Sequence, residues 1–246
     1  MPDRVYLFDV DGTLTHPLTE VDDEFAEVFL GWKRDKHKKV YLVTGSDIKK
    51  TKKQLFSSFL DQCEGVFTCS GNVFYSGGRK LYENKLELPS DFIENLQLYL
   101  DLGSPWNNKT GTHIEIRSGM VNFSTLGREA SPDLREAYYK WDQKYNERED
   151  IVDYIKGIYP QFEVSIGGTI SVDIYPVGKN KAQVVDKLQE IHGKDVSMIF
   201  VGDRNVPGGN DWPLSQRLET IEGSEWFQVS SYEETRALIE CSELFR

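Results

Sequence analysis

Two patterns of apolar and polar positions divide this chain. Short runs of consecutive apolar residues predict buried strands at 4–8, 40–43, 65–68 and 196–201. Apolar positions three or four apart predict helices over 21–32, from 46 or 47 to about 60, and over 180–192. A hairpin is predicted around 76–78, and a last strand–helix pair over 226–244 follows a loop. Strands that alternate with helices predict a parallel sheet with right-handed crossovers.

The middle of the chain has a different pattern. Residues 112–117 and 169–175 alternate apolar with polar side chains, as half-exposed antiparallel strands do. They are predicted to form hairpins with 121–124 and 162–166, and helices are predicted over 90–102 and from 132 to about 158. We therefore predict an α/β fold whose parallel-sheet core comes from residues 1–82 and 181–246, with an α+β cap domain, 83–180, inserted between them.

Composition narrows the classes of function. The 246 residues include 29 Lys and Arg against 40 Asp and Glu, a net charge of −11, which argues against general binding to nucleic acid or to an anionic membrane. Nine basic side chains between 33 and 53 lack interleaved aromatic residues, so we interpret them as solvated helix faces. No apolar stretch approaches the roughly 18 residues of a membrane span. The three cysteines are too few for a disulfide framework, so we expect a protein of the reducing cytoplasm.

The strongest chemical signal is a pair of carboxylates directly after the first strand. Asp9 and Asp11 stand two positions apart, which places both at the carboxyl end of the sheet, where open α/β folds bind ligands. Two neighbouring carboxylates repel each other unless a cation joins them or one of them is protonated. Mg²⁺ accepts such hard oxygen ligands together with phosphate oxygens.

The segment 8–14, Phe-Asp-Val-Asp-Gly-Thr-Leu, resembles the first motif of the haloacid-dehalogenase phosphohydrolase superfamily. The resemblance implies that Asp9 is the nucleophile and Asp11 the general acid/base. The superfamily's remaining elements occur in the same order along this chain. They are Thr44 and Ser46 after the second core strand, Lys181 after the cap, and the acidic residues Asp203 and Asp211 after a later strand.

A closer resemblance lies in the segments 110–122, 167–176 and 202–211, which are similar to eukaryotic-type phosphomannomutases of that superfamily. This likeness implies that cap arginines hold the sugar phosphate that is not reacting, and that two further residues reach the sugar. The arginines are Arg117, Arg128 and Arg135, and the sugar-binding residues are Ser171 and Asp173. Arginine suits phosphate binding because its planar guanidinium group binds phosphate oxygens in pairs.

The resemblance implies an isomerase that interconverts mannose 6-phosphate and mannose 1-phosphate for GDP-mannose synthesis. Asp9 would carry the phosphoryl group, supplied by a hexose 1,6-bisphosphate activator, and Lys181 would neutralise it. Mg²⁺ would be held by Asp9, the Asp11 carbonyl and Asp203. Members of the family are typically homodimers through the cap, so the implied partners are hexose phosphates and a second copy of the chain.

Three departures from the family pattern leave an alternative open. His16-Pro17-Leu18 stands where the family has an arginine, Thr44 replaces a glycine, and Arg217 stands where the family has a carboxylate of a second cation site. The alternative is a Mg²⁺-dependent sugar phosphatase of the same superfamily, which would share Asp9, Asp11, Lys181 and Asp203. The complete acidic set argues against a binding protein that has lost catalysis.

Overall fold

The computed structural model of the chain describes residues 4–17 and 19–245, so Leu18, at the first departure from the family pattern, lies outside the described residues. The chain divides into two compact units. The core unit contains the residues up to Glu83 and those from Lys179 onward, and the inserted unit contains Asn84–Gly178. The sequence pattern predicts an insert that begins one residue earlier and ends two residues later.

The core unit contains a seven-stranded sheet, in the order β11-β10-β1-β2-β3-β4-β5. Its strands, numbered along the chain, are β1 (Arg4–Phe8), β2 (Lys39–Val43), β3 (Gly65–Thr68), β4 (Val73–Ser76), β5 (Arg79–Glu83), β10 (Ser197–Gly202) and β11 (Glu225–Gln228). The five strands from β11 to β3 are parallel, and β4 and β5 add the predicted hairpin in antiparallel pairing.

Helices cover both faces of the central strands, which explains why these strands are apolar at most positions. The helices of the core unit are α1 (Asp23–Asp35), α2 (Ile48–Gln54), α3 (Ser57–Leu60), α7 (Gln183–His192), α8 (Trp212–Leu218) and α9 (Tyr232–Cys241). Tyr6 and Phe8 of β1 pack with α1, α3 and α9, whereas Val5 and Leu7 pack with α7 and α8. Two-sided burial of this kind is typical of parallel sheets.

The inserted unit is a four-stranded antiparallel sheet packed against helices. Its strands, in the order β6-β7-β9-β8, are β6 (Ile114–Arg117), β7 (Met120–Phe123), β8 (Phe162–Gly167) and β9 (Ser171–Pro176). Its helices are α4 (Phe92–Leu98), continued by one π-helical turn, α5 (Pro132–Tyr145) and α6 (Glu147–Ile158). Phe92, Leu96, Ile151 and Ile155 of α4 and α6 form its apolar core with the sheet.

Two predicted helices are interrupted, so their predicted continuity is wrong. The helix predicted to run to residue 60 stops at Gln54, because Leu55 adopts an extended conformation (φ −118°, ψ 112°) that accompanies full burial of its side chain. The long helix from residue 132 is broken at Asn146, which has a left-handed backbone (φ 56°) that asparagine tolerates better than most residues.

The segment predicted as a loop before the last strand contains a helix. α8 begins at Trp212, directly after the loop 203–211, which carries Asp203 and Asp211 and is called the acidic loop below. Pro213 occupies its first turn, where the missing N–H of proline costs no hydrogen bond. Leu214 and Leu218 of α8 are fully buried against the sheet. Among the described residues, no helix combines the length and the apolar character needed to cross a bilayer.

Candidate active site

The candidate active site of the core unit lies at the carboxyl ends of three neighbouring strands. Asp9 follows β1, and its backbone N–H donates to the carbonyl of Val201 in β10 at 3.0 Å. Asp203 follows β10, and Thr44 follows β2 on the other side of β1. Parallel pairing therefore brings together residues that are up to 194 positions apart, because all three strands end at the same edge of the sheet.

A buried lysine lies between two of the carboxylates. Lys181 Nζ lies 2.6 Å from Asp9 Oδ1 and 2.6 Å from Asp211 Oδ1, and both Lys181 and Asp211 are fully buried. The backbone N–H of Arg204 donates to Asp211 Oδ2 at 2.9 Å. One oxygen each from Asp9, Asp203 and Asp211 lie within 4.8 Å of one another. This is a compact set of hard oxygen donors, which suits a divalent cation such as Mg²⁺.

Two glycines allow the carboxylates to approach the strand ends this closely. Gly12 has φ +87°, and a Cβ there would lie 2.8 Å from Asp203 Oδ2. A Cβ on Gly202 would lie 2.7 Å from Asp211 Oδ2. Either added methyl group would push a carboxylate away from the cluster, so the glycine of the first motif is needed for close packing as well as for the turn.

The electrostatics of this cluster favour uptake of positive charge. Burial raises the pKa of Asp9 well above its ordinary value, and attraction by Lys181 offsets only part of that effect. Burial, followed by repulsion from Asp211, raises the pKa of Asp203 to about 7. Burial opposes the charge of Lys181, but the carboxylates of Asp211 and Asp9 outweigh it and raise the pKa of the ammonium. One lysine therefore does not neutralise the three carboxylates.

The side chain of Asp11 contacts a different set of residues. Its Oδ2 lies 2.6 Å from Lys50 Nζ and 3.2 Å from Ser46 Oγ, and its Oδ1 accepts from Gln54 Nε2 at 2.8 Å. Thr44 is buried, and its Oγ1 accepts from the backbone N–H of Ser46 at 3.1 Å. Of the two residues predicted to bind substrate in the core unit, Ser46 is thus in contact with Asp11, and Thr44 supports the backbone of Ser46.

One face of the sheet in the inserted unit is polar. The strand register pairs Glu115 with Asn122, Asn122 with Asp173, and Asp173 with Ser165, so these four side chains form a row across the sheet. Alternate positions in the same strands, such as Val121, belong to the apolar core of the unit. This alternation is the one seen in the sequence, and it leaves the polar row on the opposite face of the sheet.

The predicted sugar-binding and phosphate-binding residues of the inserted unit fall into two groups. Asn122 Nδ2 donates to Ser171 Oγ at 3.1 Å and to Asp173 Oδ1 at 2.8 Å, which orients both predicted sugar ligands. Arg117 and Arg128 share a carboxylate: Glu115 Oε2 forms an ion pair with Arg117 and lies 3.4 Å from Arg128 Nε.

Arg135 is tied to the same loop as Arg128. Its Nε donates to the carbonyl of Ala130 at 3.0 Å, and its Nη2 donates to the carbonyl of Arg128. The three arginines are therefore connected through Glu115 and the loop at 128–130. This arrangement brings the three arginine side chains of the inserted unit into one connected group.

Sequence reasoning did not assign roles to several residues that contact the predicted ones. They are Lys50, Gln54, Glu115 and Asn122, whereas Asp211 was expected as the second residue of the acidic pair. Spacing offered one signal, because Lys50 and Gln54 are four residues apart and therefore lie on one side of α2. Arg217, at the position of the family's second cation site, forms an ion pair with Asp186 at 3.3 Å on the surface.

Comparison with known proteins identifies the family. The family model described as eukaryotic phosphomannomutase matches residues 26–246. A phosphomannomutase from Galdieria sulphuraria is 35% identical over 99% of this chain and 95% of its own length. This chain belongs to the eukaryotic phosphomannomutase family. Phosphomannomutase 2 of Dictyostelium discoideum, a further member, is 32% identical over 96% of the chain and 94% of its own length.

The fold expected for this family is confirmed. A phosphatase of the haloacid-dehalogenase superfamily from Bacteroides thetaiotaomicron has a TM-score of 0.58 and 15% identity, over 99% of this chain and 95% of that one. At this identity the likeness concerns the fold alone. It agrees with the mostly parallel sheet of the core unit and the separate antiparallel sheet of the inserted unit.

Proposed function

We propose that this protein is a phosphomannomutase, which interconverts mannose 6-phosphate and mannose 1-phosphate. The observation that carries the proposal is the buried Asp9, held by Lys181 at 2.6 Å, in a chain that aligns over nearly its full length with phosphomannomutases. Asp9 attacks the phosphoryl group of a hexose 1,6-bisphosphate, and the resulting aspartyl-phosphate then transfers its group to the sugar monophosphate. The ammonium of Lys181 offsets charge on the phosphorylated Asp9, as electrostatic catalysis of such a transfer requires.

Mg²⁺ fits the carboxylate cluster of the core unit. The raised pKa values of Asp9 and Asp203, and three carboxylate oxygens that lie within 4.8 Å of one another, support a divalent cation there. Asp9, Asp203 and the backbone carbonyl of Asp11 would hold the cation, with Asp211 beside them. When bound, Mg²⁺ offsets negative charge on the transferring phosphoryl group.

The inserted unit serves as a cap that binds the phosphate which does not react. Arg117, Arg128 and Arg135 supply the charge, and Ser171 and Asp173, oriented by Asn122, bind sugar hydroxyls. The bisphosphate must turn around between the two half-reactions, so this site accepts either phosphorylated end. Binding energy at this remote group is used to position the reacting end.

Three finer features of the proposal rest on the family resemblance alone. They are a homodimer formed through the cap, a cytoplasmic location, and the supply of mannose 1-phosphate to GDP-mannose synthesis. The exposed apolar side chain of Ile116 on β6 is compatible with an interface on the inserted unit. Sedimentation of the purified protein, alone and with Ile116→Glu, tests the dimer.

One assay tests the proposed reaction. The protein is incubated with mannose 1-phosphate, Mg²⁺ and a catalytic amount of hexose 1,6-bisphosphate, and both mannose 6-phosphate and free phosphate are followed. We expect many isomerisations for each phosphate released. Release of free phosphate at every turnover, without mannose 6-phosphate, would instead identify the sugar phosphatase.

We expect Arg128→Ala to lower the catalytic efficiency of isomerisation roughly ten- to a hundredfold, because a charge-assisted hydrogen bond contributes about 1.5–3 kcal/mol. The aspartyl-phosphate also becomes more open to water, because the sugar monophosphate that should accept its phosphoryl group is held more weakly. The ratio of free phosphate to isomerised sugar should therefore rise. Arg79→Ala, at an exposed arginine of the core unit, is the control. An unchanged rate and ratio in Arg117, Arg128 and Arg135 variants would move the phosphate site elsewhere.

Asp203 makes the stability of the metal-free protein depend on pH. The folded state keeps the Asp203 proton up to a pKa of about 7, whereas the unfolded chain loses it near pH 3.9, so the free energy of unfolding falls as pH rises between these values. We expect Asp203→Asn to make this slope shallower and to be more stable than wild type at pH 8 by on the order of 2 kcal/mol. Urea unfolding in chelator at pH 4.5 and pH 8 measures the difference.

The same variant tests the cation site without an activity assay. Mg²⁺ should raise the thermal midpoint of the wild type, because a ligand that binds only the folded state stabilises it. The shift should be much smaller in Asp203→Asn, while Asp195→Asn, at an exposed carboxylate, keeps the wild-type response. An undiminished Mg²⁺ shift in Asp203→Asn would exclude Asp203 from the site.

A further inference from the structure

One lysine of the basic stretch is directed at the site instead of at solvent. Lys50 Nζ lies 2.6 Å from Asp11 Oδ2 and 2.9 Å from Ser46 Oγ. The side chains of Lys50 and Asp11 are about one-quarter exposed, whereas the neighbouring Lys49 and Lys53 are exposed. The interpretation of all nine basic residues as solvated therefore fails at Lys50.

The helix that carries Lys50 is built to present it to Asp11. Asp47 caps α2 by accepting from the backbone N–H of Lys50 at 2.8 Å, which fixes where the helix begins. Lys50 and Gln54 then follow four residues apart on one side of α2, and Ser46 lies directly before the capping residue. Gln54 is buried, and it donates to Asp11 Oδ1 at 2.8 Å and to Thr15 Oγ1 at 3.2 Å.

Together these contacts hold the two oxygens of one carboxyl group from different directions. Asp11 lies beyond the end of β1 and directly before the turn at Gly12, so these side-chain contacts help to orient its carboxyl. A group that exchanges a proton must stay within hydrogen-bond reach of the reacting oxygen. We infer that Lys50, assisted by Gln54, is a positioning residue that orients the Asp11 carboxyl for proton exchange with the sugar oxygen.

This inference rests on the proposed function of Asp11, and it makes a prediction about the leaving group. In the step considered, a bond forms between an Asp9 oxygen and phosphorus, and the bond between phosphorus and the sugar oxygen breaks. The sugar oxygen keeps the electron pair and takes a proton from Asp11. With acetyl phosphate as donor, the leaving acetate is a stable anion that needs no proton, so the position of Asp11 no longer matters.

The experiment compares two phosphoryl donors on the Mg²⁺-loaded enzyme. Labelled hexose 1,6-bisphosphate or labelled acetyl phosphate is mixed with excess protein, and the rate of label transfer to the protein is measured in a single turnover. Asp11→Asn should slow transfer from the sugar donor by about 10²–10⁴-fold and affect acetyl phosphate little, since general acid catalysis contributes about that much. This variant defines the signature of a lost proton donor.

We expect Lys50→Met to reproduce that signature more weakly, with transfer from the sugar donor slowed at least about tenfold and transfer from acetyl phosphate little changed. Lys50→Arg, which keeps a cationic donor, should recover part of the rate. Lys49→Met, an exposed lysine on the same helix, should behave as wild type with both donors.

Other results of the two-donor experiment would contradict either the role of Lys50 or the role of Asp11. Equal loss with both donors in Lys50→Met would mean that Lys50 binds the phosphoryl group or supports the fold, and would overturn the inference. Wild-type rates in Lys50→Met would also overturn it. Equal loss with both donors in Asp11→Asn would remove Asp11 as the proton donor, and the positioning role with it. The isomerisation assay still decides the proposed function independently.

Discussion

Asp9→Asn is expected to lower the rate of isomerisation by several orders of magnitude while the protein keeps its fold. The substitution keeps the size of the side chain but removes the carboxylate that we propose as the nucleophile, and without a nucleophile no phosphoryl-enzyme forms. Burial disfavours the charge of Asp9 in the metal-free protein, as its raised pKa shows, so the neutral amide should leave the thermal midpoint unchanged or higher. The measurements are sugar isomerisation, label transfer from bisphosphate to protein, and thermal unfolding in chelator.

The control for this variant is Asp35→Asn, at an exposed carboxylate at the end of α1. It should keep wild-type turnover and wild-type labelling. An Asp9→Asn protein that turns over like the wild type, or that still takes up label at the wild-type rate, would show that another residue is the nucleophile.

Lys181→Met is expected to cost about 3–5 kcal/mol in the free energy of unfolding at neutral pH, together with most of the activity. The substitution keeps the length of the side chain but leaves Asp9 and Asp211 buried without the ammonium that lies 2.6 Å from each. Unpaired buried carboxylates take up protons, so the stability difference from wild type should shrink as the pH is lowered toward 5. Urea unfolding in chelator at both pH values measures this effect.

Two further variants keep the test of Lys181 decisive. Lys179→Met, an exposed lysine two positions earlier, should have wild-type stability. Should Lys181→Met alone prove too unstable to purify, Lys181→Met with Asp211→Asn should recover folding, because the second change removes one of the stranded charges. A stable single variant with a pH-independent difference from wild type would contradict the charge-balancing role of Lys181.

Local pattern in the sequence was enough to predict most of the secondary structure. Apolar runs predict strands because consecutive side chains are buried on both faces of a parallel sheet, and β1 and β10 follow this rule closely. The errors lie where tertiary burial overrides periodicity. Leu55 interrupts a helix-compatible segment as it enters the core, and α8 was missed because its seven residues are too few for a clear helical period.

The clustering of carboxylates at the strand ends was also predictable, because it depends on residue type and order along the chain. Asp9 and Asp203 follow apolar strands directly, and the parallel topology places such residues at one edge of the sheet. The family motifs likewise single out Arg117 and Arg128 from the sequence. They do not indicate that Glu115 lies between these arginines, because that contact needs the side-chain rotamers.

Only the tertiary structure decided which side chains form hydrogen bonds and ion pairs with the carboxylates. Lys49, Lys50 and Lys53 look alike in the sequence, yet Lys50 is the one that contacts Asp11, because the docking of α2 beside β1 sets which side of the helix faces the carboxylate. In the same way, Lys181 is seen to lie between Asp9 and Asp211 only once β1, β10 and the acidic loop are packed together. Residue order along the chain determines which side chains reach the edge of the sheet. The packing of helices on strands determines their hydrogen-bond partners, because such contacts depend on side-chain directions that spacing along the chain does not specify.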